Sequence, residues 1–387
     1  MSFGILLPAY SLAVKNVRAG LTYHLVGLAC AVRRAAGGRP IHVASTAGED
    51  VRGLWERVRG EFPAERVIEL ADESAALTQA AKRVLEVERR LVVHTHSTRQ
   101  LQAVAELRRR YGDRVRVVYT VHSFRNASWR RIPYALVLQR LLRRSADYTI
   151  FLSCGAMAEF VGLRRVLLGG RGGHMPFAYE QPAGWDAAPT DADSVPAPLR
   201  TALAQDAFRF IYLAAFKPGK GHEWLTRGVG PALRTHRNAQ IIFAGWGEEA
   251  IRARVAAIAR EEHIAEQIVM PGSIGREIVP WLLSQCHAAI VPSVSETFAQ
   301  CVVEPMCCGL PVVGTRRGVS HWAIMDYYTG LGIEYGDGPG AARAVAYLAA
   351  NPQAAAQMGR NAAAVARSVF DWDRVGEAHV RLYESLW

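Results

Sequence analysis

Residues 291–319, VPSVSETFAQCVVEPMCCGLPVVGTRRGV, leave a strand at Pro292, cross a short loop and enter a helix that begins near Phe298 and is stopped by Gly309 and Pro311. The next apolar run, LPVVGT, begins as that helix ends. Strand, helix and strand in quick succession point to a doubly wound parallel sheet, whose ligands sit beyond the carboxyl ends of its strands. The unpaired N–H groups of the helix's first turn, around Phe298, Ala299 and Gln300, suit an anion, with a diphosphate the obvious one. Glu296 stands just before that turn and Glu304 eight residues after it. A carboxylate at the helix mouth repels phosphate but accepts hydrogen bonds from sugar hydroxyls, and one two turns along reaches ribose hydroxyls.

Outward from this stretch the same alternation continues. FRFIYLAAF, AQIIFAGWG, EQIVMPGS and HAAIVPS precede it, each followed by a helical Ala/Leu/Arg segment, and the chain closes on a helix that begins near Phe370. A similar series fills the amino-terminal half: FGILLPAY at 3–10, PIHVAS at 40–45, LVVHTH at 91–96, VRVVYTVH at 115–122 and YTIFLS at 148–153. Between the halves, EQPAGWDAAPTDADSVPAP at 180–198 has neither helical nor strand period and reads as a linker. The expected fold is α/β: an N-terminal domain over 1–185, a linker over 186–200 and a C-terminal domain over 201–372, with the two doubly wound domains facing across a cleft.

Half of the 387 residues are hydrophobic, enough to fill two ordinary cores, and the formal net charge of +11 favours an anionic partner. Six cysteines lie in apolar runs without the paired spacing of a zinc site or a disulfide framework, so reduced thiols are expected. MSFGILLPAYSLAVKN at 1–16 has no positive residue ahead of its apolar stretch and a proline within it, a poor signal peptide and a good first strand. No apolar run reaches membrane-spanning length. These features predict a cytoplasmic protein.

The run from Arg276 to Gly318, with its strand, S-x-x-E-x-F, second glutamate and M-x-x-G-x-P-V-V-x-T, resembles the retaining glycosyltransferase family 4 of the GT-B fold. IYLAAFKPGKGHEWL at 211–225, IIFAGWGEEA at 241–250, QIVMPGSI at 267–274 and the closing FDWDRVGEAHVRLYESLW extend the resemblance over nearly all of the second half. It implies transfer of a sugar from a nucleotide diphosphate donor, a UDP-sugar or GDP-mannose, with retention of configuration and without a metal or other cofactor. It also implies that the closing helix, 373–387, completes the first domain. In this reading the base lies near Pro271 and Gly272 with Gly245 beside it, the ribose on Glu304, the diphosphate on Lys220 and the helix mouth, and the sugar near Glu296.

Where the family has Gly-Arg-Leu ahead of its Lys-Gly pair, this chain has Ala214, Ala215 and Phe216, and the family's glycine after E-x-F is Ala299. Lys217, Arg316 and Arg317 are the cations of these loops that could stand in for the missing arginine at the diphosphate. A catalytically weak or inactive relative is therefore the alternative reading. In the first half, His94, His96 and His122 each end an apolar strand. His122, in YTVHSF, best matches the family's cleft histidine, whereas a structural role leads for His94 and His96. The loop after the first strand keeps only Gly20 of the family's glycine pair, on the acceptor side. His122, Glu296 and Lys220 are the catalytic candidates.

Residues 101–145 are rich in arginine interleaved with Tyr134, Leu136 and Leu138. One reading is a membrane-facing surface at the inner leaflet, suited to a lipid-linked or cell-surface glycan acceptor, and the other is a solvated helix. Nucleic-acid binding through the basic first domain is a further alternative, but no recognised reading module supports it. Asp191 and Asp193 lie in the linker and Asp371 and Asp373 at the start of the final helix, so neither D-x-D pair suits a metal-dependent transferase. The Gly245-Trp246-Gly247 turn and the Gly-Lys-Gly at 219–221 fall short of dinucleotide and P-loop patterns.

Overall fold

The computed structural model describes residues 3–8, 19–46, 54–70, 73–97, 100–121, 142, 144–152, 172–175, 195–294, 300–317 and 320–387. The chain divides into two compact units, Met1–Ala178 with Phe370–Trp387, and Tyr179–Val369.

In the first unit the elements run β1 (Gly4–Pro8), α1 (Ala19–Ala35), β2 (Ile41–Thr46), α2 (Leu54–Glu61), β3 (Val67–Leu70), α3 (Glu73–Val87), β4 (Leu91–Thr95), α4 (Leu101–Tyr111), β5 (Val115–Val121), β6 (Tyr148–Phe151) and β7 (Gly172–His174). The seven strands pair in parallel in the order β3-β2-β1-β4-β5-β6-β7, with Ile5 in register with Ile41 on one side and Val92 on the other. Alternation along each strand divides the core between two faces. Ile5, Leu7, Val43 and Val92 pack against Val26, Cys30 and Val58. Leu6, Ala44, Leu91 and Val93 pack on the opposite face against Leu77, Val84, Val104 and Leu107 of α3 and α4.

The second unit repeats the plan: α5 (Ala197–Leu203), β8 (Phe208–Leu213), α6 (His222–Gly228), α7 (Gly230–Thr235), β9 (Ala239–Ala244), α8 (Glu249–Glu261), β10 (Ile268–Gly272), α9 (Val279–Ser284), β11 (Ala288–Val291), α10 (Gln300–Cys307), β12 (Val312–Thr315), α11 (Ser320–Ala323), β13 (Gly330–Ile333), α12 (Gly338–Ala350) and α13 (Pro352–Val369). Its six parallel strands are ordered β10-β9-β8-β11-β12-β13. Both units are thus Rossmann-like doubly wound domains, as the sequence pattern predicts.

Three strands go beyond the apolar runs of the sequence: β3 (VIEL), β7 (GGH) and β13 (GLGI). All three are edge strands. An edge strand has one ladder partner and a half-covered flank, so it needs no continuous apolar run; Glu69 of β3 pairs with Arg59 in an exposed position. The last residues of the predicted linker are helical, and residues 186–194 of it lie outside the described residues. Residues 197–200 open α5, where Pro196 holds the N-cap with φ −54° and ψ 140° and Leu199 and Ala202 are buried. Proline next to a helix start is favourable there, so its presence misleads a reading that takes it for linker.

Beyond α13 the chain breaks at Phe370, and α14 (Trp372–Glu384) joins the first unit. The Asp371 side chain accepts a hydrogen bond from the Arg374 N–H at 2.9 Å and caps the helix. Trp372, Val375, Gly376, His379, Val380 and Tyr383 form one buried stripe at helical spacing. Gly27 and Gly376 set its closeness to α1. A Cβ at Gly27 would stand 2.3 Å from the Trp372 ring, and one at Gly376 would stand 2.4 Å from the carbonyl oxygen of Ala31. At the rim of this contact Asp373 pairs with Arg34 at 2.9 Å and Glu384 with Arg39. Asp371 and Asp373 are therefore occupied by a cap and a surface ion pair.

The apolar face of α4 is covered by the core through Leu101, Val104 and Leu107, while Arg108 binds Asp147 at 2.9 Å and Arg109 is exposed. The buried side of α4 is thus taken up by the core; residues 122–141 and 143 of the Arg-rich stretch lie outside the described residues. Among the described residues no helix is long and apolar enough to cross a membrane.

Candidate functional site

In the second unit the sheet order reverses between β8 and its neighbour β11. The chain leaving β8 passes to β9 on one side, whereas the chain leaving β11 passes to β12 on the other. The two loops therefore part and open a crevice at the carboxyl ends of the strands, where doubly wound sheets bind ligands. Lys220 lies in the loop after β8. Gln300 and Glu304 lie on the helix after β11.

The β8 loop, Ala214–Gly221, is fixed at both ends. The Ala214 N–H donates to Ala244 O at 3.1 Å, the Phe216 N–H to Trp246 O at 2.8 Å and the Glu248 N–H to Phe216 O at 2.8 Å. These bonds tie the β8 and β9 loops together. Gly219 and Gly221 have φ of 84° and 82°, a left-handed backbone that glycine adopts without strain. They fold the loop so that the Lys220 N–H reaches Lys217 O at 3.1 Å, while the Val294 N–H, in the loop after β11, donates to Gly219 O at 2.8 Å.

The carbonyl of Lys220 accepts from the buried Tyr212 hydroxyl at 3.1 Å, and that hydroxyl also lies 2.6 Å from Ser293 Oγ. Trp224 Nε1 donates to Pro292 O at 3.2 Å. Lys220 thus rises from a backbone bolted across the switch point to β11. His222, the next residue but one, is buried and stacks on Phe216 with ring centroids 4.3 Å apart. Burial, with the Lys220 ammonium adding to it, lowers the His222 pKa to about 4. The imidazole is therefore neutral at physiological pH, and the charge at this loop is that of the lysines.

Glu304 is 3% exposed on α10, whose end is set by Gly309 at φ 79°. Burial, with the Glu304 carboxylate second, pushes the Cys307 thiol up to about 12, which makes it an inert neighbour. Glu296, Phe298 and Ala299 lie outside the described residues, as does His122. Gly245 continues β9, and its N–H donates to Gly272 O at 2.8 Å; a Cβ there would meet Ala214 O at 2.0 Å. Pro271 is half-buried near the end of β10, where the register shifts between Val269 and Gly272 and Gly272 takes φ 85°. Lys220, Gly245, Pro271, Gln300 and Glu304 therefore follow or end β8, β9, β10 and β11 at one edge of one sheet.

The sequence reading named Lys217 as a cation of this loop but gave Trp246 no role beyond its turn. Trp246 is 60% exposed, and Lys217 Nζ sits 4.1 Å from the centroid of its ring. No spacing rule signals such a pair, because it joins two loops. Of the other cations considered, Arg316 is held by Asp326, and Arg317 is exposed after β12.

In the first unit Gly20 falls in the first turn of α1. His96 follows β4 and is buried, stacked on His94 at 4.3 Å and edge-on to His24 at 5.7 Å. His94 is inside β4, not at its open end, and its two ring nitrogens lie 2.6 Å from Tyr383 Oη and 2.7 Å from Thr120 Oγ1. Its surroundings make it part of the core. Among the described residues no cluster of His, Cys, Asp and Glu is arranged to hold a metal ion.

Residues 200–365 match the family model described as Glycosyl transferases group 1. A D-inositol 3-phosphate glycosyltransferase of Streptomyces scabiei is 27% identical over 191 residues, 48% of this chain and 43% of that protein. The chain spans less than half the length of such curated relatives. Over the whole chain the fold matches sucrose-phosphate synthase of Thermosynechococcus elongatus, with TM-score 0.72, 20% identity and coverage of 100% and 99% of the two chains. It also matches Anabaena HepE in complex with UDP and glucose, with TM-score 0.72, 17% identity and 100% of both chains covered. The fold is the GT-B fold.

Proposed function

We propose, from a second domain that matches the group 1 glycosyl transferases, that this protein transfers a sugar from a nucleotide diphosphate donor to a hydroxyl acceptor. The observation that carries the reading is a coincidence of place. The family match at 200–365 contains the whole switch point, where Lys220 follows β8 on a loop tied to β11 and the buried Glu304 lies on the helix that follows β11. An ammonium group there suits the diphosphate, and a carboxylate inside the following helix suits ribose hydroxyls. UDP is the first nucleotide to try, because it is named in the HepE complexes and in a UDP-2-fluoro glucose complex of a further neighbour.

In this reaction the bond between the anomeric carbon and the phosphate oxygen breaks as the acceptor oxygen bonds to the same face of that carbon. The departing phosphate takes the acceptor's proton. Charge grows on the phosphate as it leaves, so cations fixed in advance lower the barrier without rearranging. Lys220 would supply such a charge, which is the basis for proposing that no metal is needed. Retention rests on the resemblance of 276–318 to family 4, and a cell-surface or lipid-linked glycan remains the acceptor to try first.

Calorimetric titration with UDP, GDP and ADP in EDTA tests the donor site. One diphosphate should bind, and Lys220→Ala and Glu304→Ala should each weaken it by about tenfold or more. Failure of the wild-type protein to bind any of the three would remove the reading. NMR of the product's anomeric proton would then decide retention against inversion.

A further inference from the structure

Trp246 is one of few large apolar side chains that the described surface exposes, and its position is not free to vary. Gly245 and Gly247 flank it. A Cβ on Gly245 would stand 2.0 Å from Ala214 O, and one on Gly247, at φ 150°, would stand 2.4 Å from Phe216 O. The turn is pressed against the β8 loop and bridged to it through Phe216 and Gly247, so the backbone that carries the indole is held beside the Lys217 loop. Lys217 Nζ lies 4.1 Å from the ring centroid, within the range of a cation–π contact.

Three cations of neighbouring elements are matched by carboxylates. Arg254 is bound to Glu223, Arg252 Nε lies 3.7 Å from Glu249, and Arg316 is bound to Asp326. Among the described residues no carboxylate pairs with Lys217. An ammonium held on an aromatic face keeps its full charge while losing part of its freedom, which is the condition for binding an anion at low entropic cost. Lys217 and Lys220 also belong to one turn, joined by the Lys220 N–H to Lys217 O bond of 3.1 Å, at the switch-point edge of the sheet.

We infer that Trp246 is a positioning residue that holds Lys217 as a second cation for the donor's diphosphate, an assignment that rests on the nucleotide-sugar reading above. Lys220 is set by the backbone of its loop, whereas Lys217 is set by a side chain of the next one. The pair is therefore separable by mutation.

UDP and GDP titrations of the wild-type protein, Lys217→Met, Trp246→Leu, Trp246→Phe and the Lys217→Met/Trp246→Leu double variant, each at several salt concentrations, test it. Lys217→Met should weaken the diphosphate that binds by about tenfold and flatten its salt dependence. Trp246→Leu should weaken it by about threefold, Trp246→Phe should restore most of that loss, and the double variant should be no weaker than Lys217→Met alone. Uridine or guanosine, which carries no phosphate, should bind all five proteins equally. Wild-type binding that Lys217→Met leaves unchanged in affinity and salt slope would overturn the inference and leave the nucleotide reading intact. Equal weakening of nucleoside and diphosphate would overturn it too, by moving Trp246 to the base. A wild-type protein that binds neither UDP nor GDP overturns the nucleotide reading, and the assignment with it.

Discussion

The Tyr383 hydroxyl lies 2.6 Å from Nδ1 of His94, a hydrogen bond between residues 289 positions apart that ties the last helix to the middle strand of the first domain. Both side chains are fully buried, and Thr120 Oγ1 occupies the other nitrogen of His94 at 2.7 Å. Removing the hydroxyl leaves a buried polar group with one partner fewer. Tyr383→Phe should therefore destabilise the first unit by about 1–3 kcal/mol. Urea unfolding should show a lowered midpoint for that unit, while affinity for UDP, whose proposed site lies in the second unit, should stay within twofold of wild type.

The contact between α1 and α14 depends on two glycines whose missing side chains make room for a ring and a carbonyl. Gly376→Ala would place a methyl 2.4 Å from Ala31 O, and Gly27→Ala would place one 2.3 Å from Trp372. Each should cost about 1–3 kcal/mol through overpacking. Gly60, near the end of α2, has nothing within 4 Å of its Cβ position. Gly60→Ala should therefore be neutral or stabilising by up to about 1 kcal/mol from helix propensity alone. Thermal melts of the three variants would separate packing from propensity, and equal behaviour would refute the close-packing argument.

Acid should loosen the same region. Burial lowers the His379 pKa from 6.5 to about 4, opposed by the hydrogen bond its Nδ1–H donates to Val375 O at 2.7 Å. The unfolded chain binds a proton near pH 6.5 and the folded chain only near pH 4. Stability is therefore fully present above pH 6.5 and falls as pH drops through that window, by up to about 1.4 kcal/mol per pH unit and about 3 kcal/mol in all for this histidine. His42, in the same unit, is also lowered to about 4, by burial first and then by Arg66. Unfolding free energies measured from pH 7 to pH 4 should show this decline. It should be shallower by about one proton in His379→Leu, whose stability at pH 7 is lower for want of the Val375 bond.

The central strands were legible because each is covered on both faces, which writes an unbroken apolar run into the sequence. β3, β7 and β13 were not, because edge strands are held by one ladder and these three carry Glu69, Gly172, Gly173 and Gly330, whereas β10, also at an edge, keeps the apolar run Ile268-Val269-Met270. At the candidate site, Lys220, Glu304 and the stop at Gly309 are local features, fixed by turn and helix chemistry within a few residues. The Tyr212–Ser293 contact joins β8 to the loop after β11 and the Lys217–Trp246 pair joins two loops, and only the sheet order β9-β8-β11 brings them together. The structural role read for His94 holds, but its partner Tyr383 was not legible, for the same reason. Its strand could be read from the sequence, but its burial depends on a helix that returns from the far end of the chain.

Gly221 offers the sharpest test of how rigidly Lys220 must be held. It precedes α6 with φ 82°, and a Cβ there would stand 2.2 Å from Pro292 O, the carbonyl to which Trp224 Nε1 donates. Alanine would add left-handed strain of about 1–2 kcal/mol and would also force the loop away from β11. Gly336 has the same φ of 82° with nothing within 4 Å, so Gly336→Ala meets the strain without the displacement. Both variants should lose stability, but only Gly221→Ala should also weaken UDP binding, by about tenfold, because only there does the change move Lys220 away from the switch point. If Gly336→Ala lost affinity equally, the effect would be one of global stability. If Gly221→Ala kept wild-type affinity, Lys220 would not need the loop that positions it, and the diphosphate site would have to be sought elsewhere on the sheet edge.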